Sequence, residues 1–174
     1  ATYYGKLIQI FWMSSNTTYH AYARFKNFTM KKRSRGESNY DPAEREKDAT
    51  LALIAALSVP EASNIKRVVY DDETDKKDES VAVLLDCTST PSRASLLSEI
   101  LASDLMQYVS ADFKGVYDLL ETSFSPLELV DQMCGIVNKM TTSDDMKQYI
   151  HALEHVIIIK LITQLSTVYS VIGM

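Results

Sequence analysis

Hydrophobic residues recur along most of the chain with the three- and four-residue spacing of amphipathic helices. The first such stripe consists of Tyr4, Leu7, Ile8, Phe11 and Trp12. Polar residues at 14–16 interrupt it, and a second helix is predicted to begin near Thr17, whose hydroxyl can cap it, and to reach Arg33. The pattern therefore predicts a first helical hairpin over residues 1–33.

Residues 43–89 form a predicted middle region of further helices. Asp41 followed by Pro42 is typical of an N-cap and a first helical turn. The helix that follows is apolar nearly all round, so we expect it to pack on two sides before it ends at Pro60. Residues 71–80 are rich in Asp and Glu but lack the pattern of a calcium-binding loop, which predicts a solvated acidic loop.

Residues 92–172 form a predicted C-terminal set of helices. Ser125 and Pro126 open one of them, and the final helix is predicted over residues 144–172 with a break near His151. In the helix that begins at Ser125 and Pro126 we expect a buried stripe of Val130, Met133, Cys134, Val137 and Met140. In the final helix we expect a buried stripe of Ile158, Leu161, Ile162, Leu165, Val168, Tyr169 and Ile172.

These elements predict an all-α protein in which antiparallel helix pairs stack into a curved array, as a single helical-repeat domain over residues 1–174. Five Gly and four Pro are too few for the frequent turns of a β-sandwich. Cys87 and Cys134 form neither a disulfide framework nor a zinc motif. We expect a soluble cytoplasmic protein without a membrane partner, because no signal sequence or spanning segment is present.

Charge is distributed unevenly along the chain. Residues 1–36 hold seven Lys and Arg and no acid, whereas residues 37–174 hold 11 basic and 23 acidic residues. Six cations of the second helix are candidates for contact with RNA phosphates or an acidic protein surface: Arg24, Lys26, Lys31, Lys32, Arg33 and Arg35. The alternative is that these cations complement the dipole at the end of the helix and otherwise remain in water.

One motif has the pattern of a catalytic site. Residues 151–155 match H-x-x-E-H, in which His151 and His155 could bind zinc on one helical face while Glu154 acts as general base. That chemistry needs a further acidic ligand downstream, and no Asp or Glu follows His155. A zinc hydrolase is therefore the weakest alternative, and we expect no enzyme activity, no metal and no cofactor. Nucleophile-elbow and phosphate-binding glycine motifs are absent from the sequence.

Several short segments, in order along the chain, resemble the a-subunit family of eukaryotic translation initiation factor three, which carries a PCI domain. They are Ile8-Gln9-Ile10-Phe11-Trp12 with Asn16 and His20-Ala21, Leu57-Ser58-Val59-Pro60, Pro91-Ser92-Arg93, Gln107-Tyr108-Val109, Leu119-Leu120-Glu121 with Phe124, Pro126 and Leu127, Gln148-Tyr149-Ile150, and Lys160 to Tyr169. Each segment is unspecific alone, but together they span the chain from about Tyr4 to Ile172.

The resemblance implies a TPR-like helical-repeat superhelix that leads into a PCI winged helix, and a non-catalytic scaffold. Its implied partners are other initiation factor three subunits, notably the c subunit, and the small ribosomal subunit, with rRNA or mRNA as a further contact. The winged helix is absent from this chain, which lacks an initiator Met, so we expect a fragment of a larger subunit. A scaffold of another assembly, such as a proteasome lid or a signalosome-like particle, is the main alternative.

Overall fold

The computed structural model describes residues 2–36, 38–61, 81–85, 87, 91–122 and 125–172, and every regular element within these ranges is helical. The α-helices are α1 (Thr2–Met13), α2 (Thr17–Arg35), α3 (Pro42–Leu57), α4 (81–84), α5 (Arg93–Ala102), α6 (Leu105–Tyr108), α7 (Ala111–Tyr117), α8 (Pro126–Thr142), α9 (Asp144–Lys147) and α10 (Ile150–Ile172). A π-helical turn, Asp118–Thr122, follows α7. The prediction of an all-α fold is confirmed. The acidic loop predicted at 71–80 lies outside the described residues.

The chain packs as two compact units, Ala1–Val109 and Ser110–Met174. Compact packing does not by itself define a folding domain, so the single domain expected over residues 1–174 stays a prediction. The same holds for the expected division into segments 1–33, 43–89 and 92–172.

A tight helical hairpin opens the first unit. Residues 14–16 join α1 to α2, which pack against each other along their lengths. Asn16, rather than the predicted Thr17, caps α2 because its side chain accepts a hydrogen bond from the Tyr19 amide at 3.2 Å. This cap satisfies one of the free N–H groups of the first helical turn.

Helix α3 forms the core of the first unit. Asp41 caps it by accepting from the Glu44 amide at 3.0 Å, and Pro42 occupies its first turn as predicted. Nine consecutive residues, Ala49 to Leu57, are buried, so this half of the helix has no solvent-facing side. It packs against α2 on one side and against α5 and α6 on the other. The expectation of a helix covered on two sides is therefore correct.

The second unit is built around α8, which contacts α7, the π turn, α9 and α10. Lys160 of α10 donates to the backbone carbonyl of Leu120 in the π turn and lies 3.5 Å from the Glu121 carboxylate. A π turn leaves carbonyl groups displaced from the regular helical pattern, and the ammonium group binds one of them. The final helix is interrupted at residues 148–149, slightly before the predicted break.

Most of the two buried stripes predicted for this unit is wrong. In α8, Met140 is buried as predicted, but the other buried residues are Leu129 and Ile136, and Val130 and Cys134 are exposed. In α10, Leu153, Val156 and Ile157 are buried, but three residues of the predicted stripe are largely exposed: Ile158, Ile162 and Leu165. The physical reason is that, among the described residues of this unit, no neighbouring helix packs over these faces of α8 and α10. Residues 167–172 of the predicted stripe have no described side chains.

A buried histidine joins the two helices of the first hairpin. His20 of α2 is only 2% exposed, and its Nδ1 donates to the Ile8 carbonyl of α1 at 2.9 Å. Its ring lies against Trp12, with 5.1 Å between the ring centroids. Burial is the main cause that lowers the pKa of His20 to about 4, and nearby Arg24 contributes in the same direction.

This arrangement predicts a specific pH dependence of stability. The pKa of His20 is lower in the folded chain than its unfolded value of 6.5. The contribution of the neutral imidazole to the free energy of unfolding is therefore complete above pH 6.5 and is lost as the pH falls towards 4. The full loss is about 3 kcal/mol in the free energy of unfolding. Urea titrations at several pH values should therefore show a shallower acid loss for His20→Gln, which keeps a donor but does not titrate. His151→Gln, at a 97% exposed histidine, is the control, and equal slopes for the two variants would contradict the account.

Candidate interaction surface on the second helix

The six candidate cations all lie on α2, whose apolar side forms part of the core of the first unit. Ala21, Ala23, Phe25 and Phe28 are buried, so the charged residues between them emerge at the edges and the outer side of the helix. Lys32, Arg33 and Arg35 occupy the last turn, where cations interact favourably with the helix dipole. The structure places three of the six cations directly beside carboxylates of the same unit.

Lys31 belongs to a polar network between α2 and α3. Its Nζ lies 2.6 Å from the Asp48 carboxylate and 3.1 Å from the Glu44 carboxylate, and only 17% of the Lys31 side chain is exposed. Tyr40 also donates its hydroxyl to Asp48, at 2.5 Å. Burial alone would lower the pKa of Lys31, but the hydrogen bonds to Asp48 and Glu44 outweigh it and the pKa is raised. This cation therefore holds two helices together.

Lys32 and Arg35 are also engaged within the first unit. Lys32 forms an ion pair with Asp104 and lies 4.9 Å from the ring centroid of Tyr108. Arg45 lies 4.5 Å from the centroid of the same ring, so two cations flank Tyr108. Arg35 pairs with Glu44 at 2.8 Å and approaches the Tyr40 ring. Hydrogen bonds from Lys31 and Arg35 lower the pKa of Glu44.

The remaining three cations have different surroundings. Lys26 is half-buried, with its Nζ 5.2 Å from the Tyr22 ring centroid. Arg24 is also half-buried and lies near enough to His20 to act on its pKa, whereas Arg33 is exposed. The charge available to an outside partner is therefore smaller than the sequence indicates, and Arg33 is its most accessible part. The use of the six residues for contact stays a prediction.

Two of these lysines pair with acidic residues that are distant in sequence and that no local motif predicts. Asp48 and Asp104 lie 17 and 72 residues from the lysines that they neutralise. The only sequence signal is that acids begin where the basic segment ends, with Glu44, Glu46 and Asp48 on the first turns of α3. Such alternation is compatible with pairing between two antiparallel helices but does not specify the partners.

The H-x-x-E-H residues lie on the first turns of α10. His151, Glu154 and His155 are all exposed, and His151 Nδ1 lies 3.4 Å from the Glu154 carboxylate. Across the part of the chain that the structure describes, no three His, Cys, Asp or Glu side chains are grouped as a metal site would require. Nothing in this geometry supports the zinc-hydrolase alternative. Among the same described residues, no helix has the length and hydropathy to cross a bilayer.

The fold and this surface define a class of protein: an all-α helical-repeat protein whose charged side chains bind its own helices together. A family model described as "eIF3a, PCI domain, TPR-like region" matches residues 1–128. The chain belongs to this family, so the resemblance noted from its short motifs is confirmed.

Curated relatives align over almost the whole chain. The A subunit of eukaryotic translation initiation factor 3 from Chaetomium globosum is 29% identical over 100% of this chain and 18% of its own length. The proteins of the same name from Drosophila pseudoobscura pseudoobscura and Homo sapiens are 33% and 28% identical over 97% of this chain, and 15% and 13% of their own lengths. The chain thus spans less than a fifth of these relatives.

The Lys31 network yields a stability prediction. Asp48→Ala leaves the half-buried Lys31 ammonium and the Tyr40 hydroxyl without their shared acceptor, so we expect a loss of about 2 kcal/mol in the free energy of unfolding. Glu46→Ala, at an exposed acid of the same helix, should change it by less than about 0.5 kcal/mol. Chemical denaturation of both variants measures the difference. Equal losses would show that Asp48 does not hold α2 to α3.

Proposed function

We propose that this chain is a non-catalytic scaffold segment of translation initiation factor three, acting in translation initiation in the cytoplasm. Its partners are other subunits of the factor, notably the c subunit, and the small ribosomal subunit. The match of residues 1–128 to the family model is the observation that carries this proposal. Alignment of the curated relatives over 97–100% of the chain supports it.

The architecture suits assembly rather than turnover. Helices stacked side by side present long surfaces on which many shallow contacts can form, and repeat folds commonly use such surfaces for binding. Exposed aliphatic residues occur in both units, for example Ile10 and Met13 on α1 and Ile162 on α10. Contacts distributed over several helices are a physical basis for joining subunits without any chemical step.

Contact with rRNA or mRNA is a narrower part of the proposal. We assign it to Arg33, which is exposed, with Lys26 about two turns before it on α2. Lys31, Lys32 and Arg35 contribute less, because neighbouring carboxylates already offset their charges. Phosphate contact by a few cations supplies weak, salt-sensitive attraction that adds to protein contacts elsewhere.

The partners recovered with the chain test the main proposal. Affinity purification through a tagged chain from cytoplasmic extract should recover initiation factor subunits, including the c subunit, together with small ribosomal subunits. Proteasome-lid or signalosome subunits in their place would favour the alternative scaffold and contradict this assignment.

A charge reversal tests the RNA contact without disturbing the core. Arg33→Glu should weaken co-sedimentation with small ribosomal subunits by about fivefold at low salt, and the difference should shrink as salt is raised. Lys147→Glu makes the same change in charge at another exposed cation, in the second unit, and should have no effect. Both variants replace a cation in the last turn of a helix, so each should lower the melting temperature by no more than a few degrees, and to a similar extent. Unchanged sedimentation of Arg33→Glu would mean that the α2 cations serve only this chain's own structure.

A further inference from the structure

The most basic segment of the chain surrounds one serine. Residues 31–33 are Lys-Lys-Arg, the only run of three consecutive cations in the sequence, and Arg35 follows Ser34 directly. The first acidic residue after the serine is Glu37. Protein kinases select their substrates largely by the charges around the acceptor hydroxyl. Cations on both sides of Ser34 therefore match the kinases whose substrate clefts are acidic.

Ser34 lies on the surface, between two points at which the chain is attached to α3. Lys31 and Tyr40 both hydrogen-bond the Asp48 carboxylate, at 2.6 and 2.5 Å, and Tyr40 is only 1% exposed. Between these two points, residues 33–36, 38 and 39 are exposed. Ser34 and its neighbours can therefore move away from the surface while both ends of the segment stay attached.

The contacts described for the last turn of α2 are weak. The Ser34 hydroxyl donates to the Lys31 carbonyl of its own helix at 3.2 Å, and the helix ends at Gly36, whose φ of 69° is left-handed. The ion pair of Arg35 with Glu44 is reached by water, with 41% and 38% of the two side chains exposed, so it stabilises little. A kinase binds its acceptor in an extended segment, and local opening of a helix end supplies one.

The modification is the transfer of the γ-phosphoryl group of ATP. The Ser34 Oγ forms a bond to the γ-phosphorus, the bond from that phosphorus to ADP breaks, and the hydroxyl proton passes to the catalytic Asp of the kinase. No group is oxidised or reduced. The phosphoserine carries a charge of about −1.5 to −2 at pH 7 and adds strong acceptor oxygens.

A phosphate on Ser34 reverses the charge at the end of α2. Residues 31–35 carry four cations, and the carboxylates paired with them are Glu44, Asp48 and Asp104, so the net charge of this group is +1. Lys31 lies one turn before Ser34 on the same helical face, so the phosphate competes with Glu44 for its ammonium group.

We propose that Ser34 is phosphorylated by a kinase that selects basic sequences, and that the phosphate turns the cationic end of α2 into an anionic one. Such a change would oppose the RNA contact proposed for Arg33, because like charges repel. The phosphorylation site itself does not depend on that contact.

A kinase assay on the purified chain tests the site. The probe is ATP with the catalytic fragment of protein kinase C, which selects basic residues on both sides of its target. Tandem mass spectrometry should find Ser34 to be the most heavily labelled hydroxyl, and Ser34→Ala should lower total incorporation at least about fivefold. Ser38→Ala is the matched control and should leave incorporation unchanged, because Ser38 is exposed in the same segment but lacks three preceding cations.

Recognition by charge and by local opening is tested separately. Arg33→Gln should slow labelling of Ser34 at least about fivefold, whereas Lys147→Gln, at an exposed cation of the second unit, should not change it. Trypsin also needs an extended segment, and it should cut after Arg33 or Arg35 at least about tenfold faster than after the half-buried Lys26 of the same helix. The fold of each variant is checked by circular dichroism.

The Glu44 carboxyl reports the effect of the phosphate on its surroundings. In the unmodified chain, hydrogen bonds from Lys31 and Arg35 lower the pKa of Glu44. The phosphate competes for these donors and adds negative charge, so the pKa of Glu44 should rise towards its ordinary value. Carbon-13 NMR titration before and after kinase treatment measures the shift, and the kinase-treated Ser34→Ala chain is the control.

Four outcomes would overturn the proposal. They are no labelling of Ser34, labelling that Arg33→Gln does not slow, cleavage after Arg33 and Arg35 no faster than after Lys26, and an unchanged pKa of Glu44 in the phosphorylated chain. The inference goes beyond the proposed function and is tested with purified components only. Its failure is therefore separable from failure of the chain to join initiation factor subunits in extract.

Discussion

Complete burial of the second half of α3 is the constraint on which the first unit depends. Residues from Ala49 to Leu57 have no solvent-facing side, so this helix is stable only when neighbouring helices cover it all round. Helix α2 covers one side, and the polar network around Asp48 holds it there. His20 and the Ile8 carbonyl then hold α1 to α2. Because α2 packs on α3 and α1 packs on α2, these contacts determine which side chains remain exposed on the surface of the unit.

This order changes how the basic segment is interpreted. In sequence, six cations without an intervening acid are typical of a phosphate-binding surface. In the folded chain, Lys31, Lys32 and Arg35 each lie beside a carboxylate of α3 or its neighbours. Charge that holds helices together is only partly available to an outside partner. The second unit differs in charge, because residues 110–174 carry eight Asp and Glu against four Lys.

The sequence was sufficient for the fold class and for the two-sided burial of α3, because periodic spacing and capping residues report directly on helices. It was insufficient for the rotation of α8. Apolar residues there cover a wide arc, and Leu129 and Ile136 fit a helical stripe as well as Val130 and Cys134. Periodicity shows that a helix has an apolar side but not which part of it receives a neighbour. Pairings such as Lys32 with Asp104 are likewise not encoded locally.

The central proposal is that this chain binds its partners through exposed helical faces, while its cores serve only to hold the helices together. Hydrogen exchange of the chain, alone and within assembled initiation factor three, tests it most directly. We expect slow exchange in α3 in both states, and slower exchange on assembly in residues 158–166 of α10 and at the end of α2. Identical exchange in both states, or assembly changes confined to α3, would contradict it.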